Sequence, residues 1–142
     1  MHEPIAALIP HQGAMCLLEE ILSWDDERIV LRTGTHRSPG NPLRNAAGRV
    51  RALHLCEYGA QAMAVHGALS AHKAGGTARP GFLVSLRAVE LHCDWIETID
   101  GPLEVEASRL LASPESWQYA FRVRANLELL AEGRAAVVAR PA

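Results

Sequence analysis

One segment, residues 51–74, restricts the fold more than any other. It has no proline, and Val65 is its lone β-branched residue. Ala, Leu, Met, Glu and Gln dominate it, all good helix formers. About six turns of helix fit this length. Small residues (Gly59, Ala60, Ala62, Ala64, Gly67, Ala68, Ala71) fall on nearly every side, so the helix is thin and another backbone can approach it closely. Glycine inside an exposed helix costs about 1 kcal/mol against alanine, so Gly59 and Gly67 imply tight packing. A surface helix would carry a wider polar face. The expected structure is a helix largely enclosed by sheet.

Two polar residues interrupt this helix. Glu57 and Gln61 lie four apart and share a face, and His54, three before Glu57, can share it too. A carboxyl in apolar surroundings must be paired, hydrogen-bonded or protonated. Glu57 is therefore either a satisfied acid near the helix start, where the dipole favours an anion, or a catalytic acid.

The rest of the chain reads in order. Pro4 suits a first helical position and Pro10 ends a turn or two of helix over residues 4–9. Residues 16–23 fit helix or strand. The turn Trp24-Asp25-Asp26-Glu27 favours pairing them as a hairpin with residues 28–35, which have strand composition. Residues 36–50 form a long loop with two prolines and two glycines that delivers the chain to the helix and can hover over Glu57. Gly75-Gly76 ends the helix. Strands follow over 82–92, half buried on one face, then 103–111, 117–125 and 129–140, with a hairpin turn at Asn126 and a bulge or close approach at Gly133. Helix, hairpin, long loop, long helix and antiparallel strands make an α+β fold with sheet wrapped around one helix.

The 142 residues fit one domain, 1–142, and an apolar fraction of 49% supports a proper core. A formal charge of -2 gives no electrostatic case for nucleic acid or an anionic membrane. Cys16, Cys56 and Cys93 lack CxxC spacing and lie in apolar runs, so they read as reduced core thiols of a cytoplasmic protein. The start carries no basic, apolar signal-peptide pattern, and no segment approaches a membrane span. No HxxxH or Cys/His cluster has metal-ligand spacing, so neither metal nor cofactor is expected.

At this point a resemblance emerges. Leu8-Ile-Pro-His11, leading into residues 15–22, resembles the amino-terminal signature of the β-hydroxyacyl-acyl-carrier-protein dehydratases. Leu55-Cys-Glu-Tyr-Gly-Ala-Gln61 resembles their helix motif. Residues 81–89, 101–105 and 131–137 continue the match in order, so it covers nearly the whole chain. The branch it resembles most is that of small dehydratase-like proteins of aryl-polyene pigment clusters. The resemblance implies a hot-dog fold and dehydration of 3-hydroxyacyl thioesters on acyl-carrier protein, in fatty-acid or polyene synthesis. It also implies a homodimer or a dimer with a homologous dehydratase. Fatty-acid dehydratases carry Gly-His-Phe-Pro in the long loop, with the His fourteen residues before the helix acid. Here that position is Leu43. Glu57 thus carries over as the acid and Gln61 as the second helix residue, but the family's His does not.

Dehydration needs a base near C2, an acid near the C3 oxygen and donors on the thioester carbonyl. Glu57, His11 and His36 are the expected catalytic residues, with Gln61, His54 and Gly59 as substrate-binding residues. His66 is expected to be buried and satisfied. Arg44, Arg49, Arg51, Arg79 and Arg87 are candidates for docking an acidic carrier protein. Two other functions remain open: a hot-dog thioesterase, and a non-catalytic acyl-binding partner of an active dehydratase.

Overall fold

The computed structural model describes residues 5–10, 13–76 and 81–139, with the side chain of Phe82 left aside. After a single turn of helix, α1 (Ile5–Leu8), come β1 (Glu20–Trp24) and β2 (Arg28–Thr33), then the long helix α2 (Leu55–Lys73). Four strands complete the fold: β3 (Gly81–Leu91), β4 (Leu103–Ala112), β5 (Ser116–Ala125) and β6 (Glu128–Ala139). The six strands form one antiparallel sheet in the order β1-β2-β4-β5-β6-β3, with α2 packed on one face against β2, β4, β5 and β6. This is the hot-dog arrangement.

Strand alternation builds the core. Leu103, Val105 and Ala107 of β4 and Tyr119, Phe121 and Val123 of β5 point at the helix, while Glu104 and Arg122 point outward. Opposite them α2 buries Leu55, Tyr58, Ala62, Met63, Val65 and Ala68. Its small side chains let the sheet come close. A Cβ on Gly59 would stand 2.7 Å from the Phe121 ring, and one on Gly133, directly across from Phe121 on β6, would stand 2.9 Å from its Cε1. Both Gly133 expectations are met: the β5–β6 register is regular there and the approach to Phe121 is close, while the β3–β6 register shifts between Arg87 and Glu90, opposite Gly133, so the bulge lies on β3.

The β1–β2 turn is closed by Asp25, whose Oδ1 accepts from the amides of Glu27 (2.8 Å) and Arg28 (2.9 Å). The β5–β6 hairpin turns through Asn126 and Leu127, both with positive φ, 52° and 69°. Gly75, with φ 83°, ends α2.

Contrary to expectation, Gly67 is not tightly packed, since an added Cβ would meet nothing within 4 Å among the described residues, and three further expectations need correction. α2 begins at Leu55 because Arg51 is extended and bridges Trp95, and the Ala52 amide donates to Asp94 O at 2.9 Å; a 3-10 turn, Ala52–His54, then leads into the helix. β1 begins only at Glu20, because the Leu17 amide donates to the Gln61 side chain rather than to a strand. β3 is exposed along most of its length, not half buried on one face: Leu83, Val84 and Leu86 are 45%, 58% and 41% exposed. It is the sheet's last strand, and α2 makes its sheet contacts with strands nearer the centre.

Candidate active site

Glu57 occupies the first turn of α2 and is half-buried. From it runs one face of the helix, Ala60, Ala64, Gly67, Ala68 and Ala71, at the three- and four-residue spacings that align on a helix surface. That face is one wall of a cavity of about 660 Å³. Leu8, Ile9 and Pro10 close one side, while Leu83, Trp117, Tyr119 and Val137 of the sheet form the wall facing the helix. Among the described residues lining it, Glu57 is the sole carboxylate.

The hydroxyl of Tyr119 in this wall is engaged by a buried histidine. Tyr119 lies 2.7 Å through its hydroxyl from Nδ1 of His66, whose Nε2 is 2.8 Å from the carbonyl of Asp25. A carbonyl only accepts, so Nε2 carries the proton and Nδ1 accepts from the phenol. Burial lowers the pKa of His66 and pushes Tyr119 up to about 12, so both are neutral at pH 7. His66 is thus buried and satisfied, as expected.

The other expected site residues are dispersed. Gln61 is fully buried; its Oε1 accepts from the Leu17 amide at 2.9 Å and its Nε2 donates to Met15 O at 2.7 Å. The amide holds the segment before β1 against the helix. Gly59 faces Phe121. His54 is the residue before α2 and lies outside the cavity lining. His36 is buried in the Thr35–Arg37 turn with Nε2 2.9 Å from Ile99 O, and desolvation lowers its pKa. It too lies outside the lining. His11 falls outside the described residues, as does Arg79. The Cys56 thiol beside Glu57 is buried, and burial pushes its pKa up, which disfavours a thiolate nucleophile.

Of the arginines, Arg44 donates to the carbonyls of Arg37, Ser38 and Gly48 and so braces the loop before α2. Arg49 and Arg51 both lie over the Trp95 ring, at 4.1 and 5.1 Å from its centroid. Arg87 donates to Gln118 on the sheet. Among the described residues, Glu90 of β3, His92 just after it and Glu132 of β6 bring possible metal-ligand atoms within 4.8 Å of one another, and none of them lines the cavity.

Sequence reasoning missed the aromatic wall. Trp117 and Tyr119 are two apart on β5 with Phe121 and Val123, so the alternation already placed them on the helix-facing side. What it could not supply was which helix residues stand opposite.

Comparison with known proteins accords with this architecture. The ApeP-like family model, described as ApeP dehydratase, matches residues 3–142. The dehydratase heterocomplex ApeI:P from Xenorhabdus doucetiae is similar with a TM-score of 0.87 at 19% identity, covering 99% of this chain and 93% of that one. A hypothetical thioesterase from Streptococcus pneumoniae, solved with coenzyme A, is similar with a TM-score of 0.63 at 11% identity, over 85% of this chain and 84% of that one. No curated protein sequence matches the chain.

Proposed function

The chain belongs to the ApeP-like dehydratase family, and from that premise we propose that it dehydrates 3-hydroxyacyl thioesters on acyl-carrier protein to trans-2-enoyl thioesters, in fatty-acid or polyene synthesis. The observation that carries this reading is Glu57 as the one carboxylate in the described lining of an otherwise apolar cavity. The acyl tail lies along the small-residue face of α2, and the reacting carbons sit beside Glu57.

The chemistry balances without a cofactor. A base takes the C2 proton, the C2–H electron pair becomes the C2=C3 bond, and the C3–O bond breaks as its oxygen takes a proton and leaves as water. Glu57 is the acid at the leaving oxygen. The base is a histidine: His11, which follows cavity-lining Pro10 in sequence, is the choice, because His36 is buried on Ile99 O outside the lining. Amides at the start of α2 polarise the thioester carbonyl as enolate character develops. Gln61 and Gly59 serve that end of the helix by positioning it, against the Met15–Leu17 backbone and against Phe121, rather than by touching substrate, and His54 precedes it outside the lining.

The exposed strand β3 supports pairing with a second copy or a homologous dehydratase. A long apolar sheet edge is a template for another strand, and the ApeI:P structure is of a heterocomplex. That same heterocomplex favours a second reading, in which this chain binds the acyl group for an active partner. A thioesterase is the third, and the Streptococcus pneumoniae structure bears on its fold alone.

Mass spectrometry of 3-hydroxyacyl-carrier protein after incubation separates them. Loss of one water with wild type, but not with Glu57→Gln, is expected. Release of free carrier thiol would favour the thioesterase. No change alone, and dehydration by an added homologous dehydratase that is insensitive to Glu57→Gln, would favour the binding subunit.

A further inference from the structure

We propose that Gly67 sets how long an acyl chain the cavity admits; this rests on the acyl-thioester reading above. Two glycines interrupt α2, and the structure gives them different reasons to be there. At Gly59 a side chain would run into Phe121, 2.7 Å from the Cβ position. At Gly67 a Cβ would meet nothing within 4 Å among the described residues. Packing within the chain therefore does not call for glycine at 67, yet glycine is among the poorest residues for a helix interior. Gly67 lines the cavity, so the room it leaves is cavity room.

Its place along the helix gives that room a use. Gly67 is ten residues beyond Glu57, about 15 Å along the axis at the helical rise. It shares the lining with Ala60 and Ala64 before it and Ala71 after it. The facing wall offers Trp117 and the ring of Tyr119, whose hydroxyl is engaged by His66. A chain with its reacting carbons at Glu57 can run past Gly67 along the alanines of α2 and the rings of Trp117 and Tyr119. A branched side chain at 67 would stand in that path, while a short chain would end before reaching it.

The test uses full-length protein with four-carbon and sixteen-carbon 3-hydroxyacyl thioesters on carrier protein, comparing wild type, Gly67→Ala and Gly67→Leu. Gly67→Leu is expected to lower turnover of the long substrate about tenfold or more and leave the short one within about twofold, as steric blocking in an apolar pocket does. Gly67→Ala should fold at least as well as wild type and show a smaller shift in the same direction. An equal loss on both lengths in folded Gly67→Leu, or no loss on either, would overturn the proposal. So would a change in native oligomeric mass with Gly67→Leu, because the room would then belong to a partner chain. If wild type dehydrates neither substrate, the dehydratase reading fails on its own. Binding of the same two thioesters to wild type and Gly67→Leu then decides the gauge: selective loss of the long one keeps it, and equal binding removes it.

Discussion

A methyl group on Gly59 would sit 2.7 Å from Cγ and Cδ2 of Phe121, so the central helix and strand β5 touch through a glycine on one side and an aromatic ring on the other. Ring carbons of a buried Phe cannot retreat cheaply, because the far edge of the ring already packs over Gly133, where an added Cβ would stand 2.9 Å from Cε1. Gly59→Ala should therefore destabilise the fold by about 1–3 kcal/mol, the range for overpacking a full core. Chemical denaturation measures it. Phe121→Leu in the same chain should recover part of the loss, a coupling that a double-mutant cycle reads directly.

Gln61 makes a different kind of join. Both ends of its amide are used, one by the Leu17 amide and one by the Met15 carbonyl. Gln61→Ala would leave a buried donor and an acceptor without partners, at about 1–3 kcal/mol for such an unsatisfied group. The expected result is a lower denaturation midpoint. Gln61→Glu should not restore it: a carboxylate can accept from Leu17 but has no donor for Met15 O.

Acid should weaken the fold through two histidines. His36 and His66 are both held below the ordinary value of 6.5, chiefly by burial. The unfolded chain thus takes up protons near pH 6.5 that the folded chain still refuses, and stability falls as pH drops below that point. Above it, both states carry neutral imidazoles and these groups contribute no slope. Denaturation midpoints from pH 7.5 down to 5 should show a plateau and then a decline. His66→Gln should make the decline shallower, whatever it does to the plateau. An unchanged slope would mean that His66 is not among the groups responsible.

The β5–β6 turn carries a removable strain. Leu127 has φ 69° and is 98% exposed, so its side chain gains nothing from packing while its backbone holds a left-handed conformation. That conformation costs a non-glycine residue about 1–2 kcal/mol, part of which glycine returns as unfolded-state entropy. Leu127→Gly should raise the thermal midpoint with no effect on ligand binding.

How far the sequence alone reached follows from what kind of signal each feature carries. Helix α2 was legible because nearly every residue from 55 to 73 favours helix, and β4 and β5 because Leu103–Ala107 and Trp117–Val123 alternate. Asn126 was legible as a turn. Residues Cys16–Glu19 were not, because their fate depends on a bond from Leu17 to a side chain 44 positions away. β3 misled for a related reason: Phe82–Leu91 has the composition of a covered strand, and only the strand order shows that it lies at an edge. At the site, Glu57 stood out as an acid among alanines. The histidines sorted only in part: His66, inside the apolar helix, was legible as buried and satisfied, whereas nothing in sequence marks His36 as a ring held on Ile99 O. Gln61 was legible as an unusual polar residue, but its partners are backbone atoms that leave no trace in residue types.

The edge itself gives the last prediction. Val84 and Leu86 are exposed on β3, whose one neighbour in the sheet is β6. Exposed apolar edge strands pair with other chains unless charge or covering blocks them. Val84 takes no part in the cavity lining, whereas its neighbours Gly81 and Leu83 do. Val84→Lys is therefore expected to weaken association and leave the cavity wall of the single chain intact. Analytical ultracentrifugation should show wild type as a dimer, with itself or with an added homologous dehydratase, and Val84→Lys shifted toward monomer. If dehydration falls in step with dimer while the monomer stays folded, the cavity needs its partner to work. If the variant remains a dimer, association uses a different surface, and β3 is protected by something other than a second strand.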